Sequence, residues 1–202
     1  MLYQGQVIAT FSGGTSSVPL SFTLNDHANP VTVQSLVRSL TYENTATIPT
    51  QVNRKVEIVV TDGDGGTSAP VTQEISLNSV NDAPVNTVPG IQTILEGQSI
   101  TFSKDKGTTI AIWDVDASTG TLQVNVNVIH GTLSVADGSG ATVTNNNSLS
   151  VSIVGTVDQI NAALNGMTYQ PSTTDWYGDD TLTITTDDQG NTGSGGAKRD
   201  TD

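Results

Sequence analysis

The sequence contains no cysteine. That excludes a disulfide scaffold, a thiolate zinc site and a cysteine nucleophile. Aromatic residues make up only 4% of the 202 positions and hydrophobic residues 35%, so any core must be thin. Basic residues are scarce, with 7 Lys and Arg against 20 Asp and Glu and a net charge of −13. A nucleic-acid binder needs Lys and Arg to neutralise phosphates, so that class of partner is excluded. No apolar run approaches the roughly 18 residues that a spanning helix needs, and membrane insertion is not expected. Met1-Leu2-Tyr3-Gln4 begins no basic region followed by an apolar run, so no signal peptide is visible. Charged residues are 13%, too few for an acidic disordered tail.

What is abundant is Thr, Ser, Asn, Gln and 20 glycines, arranged as short strands and turns. Val56-Glu57-Ile58-Val59-Val60 is β-branched and ends at Thr61-Asp62-Gly63-Asp64-Gly65-Gly66. Thr181-Leu182-Thr183-Ile184-Thr185 alternates and ends at Thr186-Asp187-Asp188-Gln189-Gly190. Leu122, Val124, Val126 and Val128 alternate with polar residues, as do Leu149, Val151 and Ile153. Period-two runs bounded by Gly, Asn and Asp read as strands, and many at short spacing favour an antiparallel sandwich. The length fits two domains of about 100–150 residues better than one.

Two segments carry a different period. Val33, Leu36, Val37 and Leu40 recur at helical spacing, and so do Ile160, Ala163, Leu164 and Met167. Thr156 with Gln159 three residues on fits a capping box. Helices this short need sheet neighbours to hold them.

These segments also reveal an internal repeat. Ser39-Leu40-Thr41-Tyr42 matches Gly166-Met167-Thr168-Tyr169 at an offset of 127, and Thr61-Asp62 matches Thr186-Asp187 at 125. A small gap in the spacer accounts for the difference. The ordered set, short helix, Thr-Tyr, spacer, strand, Thr-Asp turn, predicts a tandem array with a period of about 125 residues. The organisation expected is residues 1–80 as the C-terminal part of a first repeat, 81–85 as connector and 86–202 as a second repeat. The first lacks its opening strands and the second its last one, as in a piece of a longer array. Pro84 stiffens the connector and biases Ala83 toward an extended backbone.

The acidic residues gather at turns and at the connector. Asp114-Val115-Asp116 places two carboxylates on one face if the segment is extended. Juxtaposed anions are costly unless a cation sits between them. Ca²⁺ suits the site, since it takes 6–8 oxygens from carboxylates, amides, backbone carbonyls and water. Asn81 and Asp82 supply an amide and a carboxylate on the connector. The competing reading is that Asp and Asn favour turns and stay solvated.

Val80-Asn81-Asp82-Ala83-Pro84-Val85, Asp114-Val115-Asp116-Ala117 and Val60-Thr61-Asp62-Gly63 resemble the calcium motifs of cadherin repeats. Together with Ile160–Pro171, Asp180–Asp188 and Asn191–Gly196, they are more similar to the cadherin-like repeats of very large bacterial surface proteins and adhesins. The resemblance covers nearly the whole chain. It implies an all-β fold of tandem immunoglobulin/cadherin-like Greek-key sandwiches, each with a short helical turn. It also implies export to the cell surface and Ca²⁺ at domain junctions. Matched motif by motif, Asn81 and Asp82 are linker ligands, and Asp114 and Asp116 the paired aspartates. Asp187 is the late-strand aspartate of the same site. Asp62 plays that part for the first copy, and Glu96 is the early glutamate that serves a following junction. The Asp-Arg-Glu motif of animal cadherins is missing, and so is the connector's second asparagine.

The function expected is a calcium-binding structural or adhesion module of a bacterial extracellular surface protein. Its partners are neighbouring repeats, with homophilic contacts or surface polysaccharide beyond them. The alternative is a carbohydrate-binding module of a secreted protein, using Trp176 and Tyr177. Trp113 is expected to pack at a sheet end. His27 and His130 have no second ligand at metal spacing. No nucleophile elbow, P-loop or dinucleotide fingerprint occurs, and no enzyme is expected.

Overall fold

The computed structural model describes residues 1–15, 17–46, 52–62, 64–136 and 138–202. Two compact units divide the chain, Met1–Ala46 and Thr47–Asp202. The spacer at 47–51, where the two repeat offsets diverge, lies outside the described residues, as does Gly63 of the first Thr-Asp turn.

In the first unit β1 (Leu2–Tyr3) pairs with β2 (Gln6–Val7), and β3 (Ala9–Ser12) with β4 (Ser21–Leu24), both antiparallel. Helix α1 (Pro30–Arg38) follows. It starts there because the Asn29 side chain accepts from the N–H groups of Val31 and Thr32, while Thr32 Oγ1 accepts from the Asn29 N–H. Pro30 adds a preset φ at the first helical position. Its buried residues are Thr32 and Leu36, and Leu40 lies beyond the helix on the surface. The expected stripe is thus shifted. Ile8, Ala9 and Leu36 form the unit's small core, with Tyr3 and Phe22 against it.

The second unit opens with an antiparallel hairpin of β5 (Arg54–Ile58) and β6 (Val71–Ile75). Next come β7 (Val85–Thr87), β8 (Ile100–Phe102), a 3-10 turn (Lys104–Lys106) and β9 (Ala111–Trp113). Then follow β10 (Leu122–Asn127), β11 (Thr132–Ser134), β12 (Thr142–Thr144) and β13 (Ser150–Gly155). Helix α2 (Val157–Leu164), β14 (Met167–Gln170), β15 (Thr183–Asp187) and β16 (Arg199–Thr201) complete it.

Hydrogen bonding assembles a five-stranded antiparallel sheet, β12-β13-β10-β15-β16, and a three-stranded one, β11-β14-β8. The period-two pattern explains why they share a core. Leu122, Val124, Val126, Val151, Ile153 and Ile184 point inward from the larger sheet. Phe102, Leu133, Met167 and Tyr169 point inward from the smaller one. The fold is therefore mostly β, antiparallel, with two short α-helices among the described residues.

Helix α2 is capped as its sequence predicts: Gln159 N–H reaches Thr156 Oγ1, and Thr156 N–H reaches Gln159 Oε1 at 3.0 Å. Ile160, Ala163 and Leu164 are buried. Met167 is also buried, but on β14 rather than on the helix. Tyr169 in β14 pairs with β8 and β11. Tyr42, which the sequence repeat aligns with it, is in no strand and is exposed.

Candidate functional site

Antiparallel pairing of β7 with β9 sets Val85 opposite Trp113. The residues just before β7 and just after β9 must therefore meet at one end of the unit. Those residues are Asn81 and Asp82 on one side, Asp114 and Asp116 on the other. Beside them, Gln123 at the start of β10 pairs with Asp187 at the end of β15, which brings Asp188 to the same end.

Helix α2 anchors β9. The Asn161 side chain accepts from Ile112 N–H at 2.8 Å and donates to Ile112 O at 2.9 Å, behaving as a neighbouring strand would. Two residues on, the chain bends rather than extends. Asp114 Oδ1 accepts from the N–H groups of Asp116 and Ala117 at 3.1 and 3.2 Å. These local bonds stabilise a turn over the extended alternative. It is this turn, and not strand alternation, that sets the Asp116 backbone N–H against the Asp114 carboxylate. Asp116 Oδ2 accepts from the Asp82 N–H at 2.9 Å, which ties the segment before β7 to the turn.

Asp114 and Asp116 are both buried, and so is Asn81, which is 1% exposed. Burial, and then the adjoining Asp116 carboxyl, push the Asp114 pKa up to about 6. Asp114 Oδ2, Asp116 Oδ1 and Asn81 Oδ1 are buried with no hydrogen-bond partner. Asn86 Nδ2 is the other such atom among the described residues. Leaving a buried acceptor unsatisfied costs about 1–3 kcal/mol, and more for a charged one. Three unsatisfied oxygens, two of them on carboxylates, are a donor set for a hard cation.

Of the residues expected as ligands, then, Asn81, Asp114 and Asp116 lie at this end of the unit, each with a buried side-chain oxygen that has no donor. Asp82 contributes its backbone, while its side chain is exposed. Asp187 is engaged elsewhere: it accepts from Arg199 Nε at 2.7 Å and from Gln189 N–H at 2.7 Å. Burial pushes its carboxyl up, but Arg199 and the Gln189 amide outweigh that and hold it below the ordinary value. Asp62 Oδ1 closes its own turn, accepting from the N–H groups of Asp64 and Gly66. Glu96 is exposed in a turn. Among the described residues, no group of three or more His, Asp or Glu side chains forms a metal cluster. The set is two carboxylates and one amide.

Two aspartates escaped the sequence reading. Asp188 is 1% exposed; its Oδ1 accepts from the N–H groups of Gly190 and Lys198, and its Oδ2 from Asn81 Nδ2 at 2.6 Å. A signal existed. Counting in twos from the core residue Ile184 puts Thr186 and Asp188 on the inner face and Asp187 on the outer. Asp180 accepts from the Tyr169 hydroxyl at 2.7 Å and from the N–H groups of Ile129, His130 and Thr181. It joins two loops and the core edge.

The aromatic residues proposed for sugar stacking lie apart from one another in exposure. Trp176 is half-buried against His130, with ring centroids 5.2 Å apart, while Tyr177 is 86% exposed. Trp113, expected to pack at a sheet end, is 57% exposed, because its neighbours Ile112 and Asp114 take the inward direction. No helix among the described residues is long and apolar enough to cross a membrane. No protein family, curated protein or solved structure matches this chain.

Proposed function

We propose that this chain is a calcium-binding structural module of a bacterial extracellular repeat protein, built from tandem cadherin-like sandwiches. One observation carries the reading: the buried, donorless oxygens of Asn81, Asp114 and Asp116 at the point where the connector enters the sheet unit. Two buried carboxylates in contact are poorly placed without a cation and well placed with one. Hard oxygen donors and the absence of Cys favour calcium over softer metals. Backbone carbonyls, water or a neighbouring repeat would complete the coordination.

The repeat organisation has its own support. Both copies carry a helix with a capping box, and each helix follows a strand. In this reading the ion fixes the path of the connector, so that an array of such modules stiffens. Extracellular modules bind calcium at about 10⁻⁴–10⁻³ M, so the ion would load outside a cell and not inside. At ten times the dissociation constant, binding adds about 1.4 kcal/mol to native stability.

The test is thermal unfolding with calcium and with a chelator. Calcium raises the midpoint, and Asp114→Ala or Asp116→Ala removes most of the rise. Identical curves with and without calcium would falsify the proposal. Adhesion through homophilic contacts is a further part of the reading, checked by calcium-dependent self-association in sedimentation.

A further inference from the structure

The Asn81 amide has two N–H donors and one oxygen, and a half-turn of the side chain exchanges them. Both donors are used. One reaches Asp188 Oδ2 at 2.6 Å and the other Gly196 O at 2.9 Å. The oxygen is left buried and without a donor, as are atoms of Asp114 and Asp116. Turning the amide over would set its oxygen against the Asp188 carboxylate, two acceptors face to face. Asp188 cannot turn away, because Gly190 and Lys198 hold its other oxygen at 2.8 Å each.

The backbone is clasped as well. Asn81 N–H donates to Ser194 O, and Ser194 N–H to Ser79 O, both at 2.9 Å, so the connector adds as a parallel bridge to the loop. Gly193 makes this approach possible: a Cβ there would lie 2.5 Å from Asn81 N. Thr192 Oγ1 donates to Asp116 O, so the same loop also grips the paired-aspartate turn.

We propose that Asp188, with the 190–196 loop, is a positioning device that locks Asn81 in the one orientation that presents its oxygen to a divalent cation. In this role Asp188 acts through Asn81; its carboxylate accepts from three N–H groups, one of them the Asn81 amide. The inference rests on the cation reading above and adds the residue on which that site's affinity depends. Residues that orient a ligand typically change metal affinity by about 10–100-fold when replaced.

The experiment is a double-mutant cycle on calcium affinity, read by calorimetry and by Tb³⁺ luminescence sensitised through Trp113, which adjoins Asp114 in sequence. The proteins are the full chain, Asp188→Asn, Asn81→Ala and the double variant, with chelated midpoints measured alongside. Asp188→Asn weakens binding by about 10-fold or more. Adding it to Asn81→Ala changes affinity less than about 2-fold, since its effect passes through Asn81. A merely structural role lowers the chelated midpoint without this coupling. Wild-type affinity in Asp188→Asn, or independent effects in the double variant, overturns this inference alone. No binding by the full chain overturns the cation reading and this inference together. If Asp188→Asn does not fold, Gly193→Ala takes its place: its loss of affinity must likewise vanish in the Asn81→Ala background, and persistence there overturns the inference.

Discussion

Asn81 and Asp188 stand 107 residues apart in the chain, and their side chains meet at 2.6 Å in a buried position. The contact closes the end of the sheet unit where the chain runs into β7. With the bond to Gly196 O, it holds the Asn81 side chain against the loop that follows β15.

The neighbouring aspartate should behave oppositely. Asp187→Ala should leave the calcium-induced rise in midpoint intact, because Asp187 faces Arg199 on the outer side of β15. Arg199 is 70% exposed, so losing the ion pair should cost no more than about 1 kcal/mol. A lost calcium response in Asp187→Ala would mean that the outward carboxylate is the ligand.

Asp114 should give the chelated protein an inverted pH profile. Its folded value, about 6, lies above the unfolded 3.8, so the folded state binds more protons between them. Stability from this group is present at low pH and lost as pH rises through that window. In chelator, the midpoint should therefore fall between about pH 4.5 and about pH 7 by more in the wild type than in Asp114→Asn. With calcium the ordering reverses, because protons then compete with the ion.

Asp180 should show the opposite sign. Burial pushes its carboxyl up, but the Tyr169 hydroxyl and three backbone amides outweigh that and hold it below the ordinary value. Its contribution is present above the unfolded value and disappears as pH falls through the folded one. Asp180→Asn should cost about 1–3 kcal/mol at neutral pH and flatten the acid limb of the stability curve. Urea titrations at pH 3 and pH 7, chosen at about one unit below and three above the unfolded carboxylate value, check this.

Asn161→Ala tests whether α2 supports the site from behind. The change leaves Ile112 N–H and C=O unpaired, at a cost of about 1–3 kcal/mol. Because Ile112 lies two residues before Asp114, calcium affinity should weaken as well. Unaltered affinity in a folded variant would separate the helix from the site.

Much of the local structure was legible in the chain. Thr156 and Gln159 announce the cap of α2, and Leu122, Val124 and Val126 the buried face of β10. Less legible were strand ends: β15 runs Thr183–Asp187, two residues later than its alternation predicts, because its ends are set by pairing with β10 and β16. The motif resemblance pointed to Asp187, whereas strand alternation, counted from Ile184, points to Asp188.

By itself the sequence determined residue chemistry and period: acidic, oxygen-rich turns between alternating strands, two short helical segments with the cap of the second, and aspartates paired at 114 and 116. Those follow from local sterics and hydrogen bonding, which act over a few residues. Only the tertiary structure decided which oxygens are buried without a donor. That choice depends on the β7–β9 register and on a loop crossing from residues 190–196 to the connector, and contacts between such distant segments are set by the packing of the whole unit.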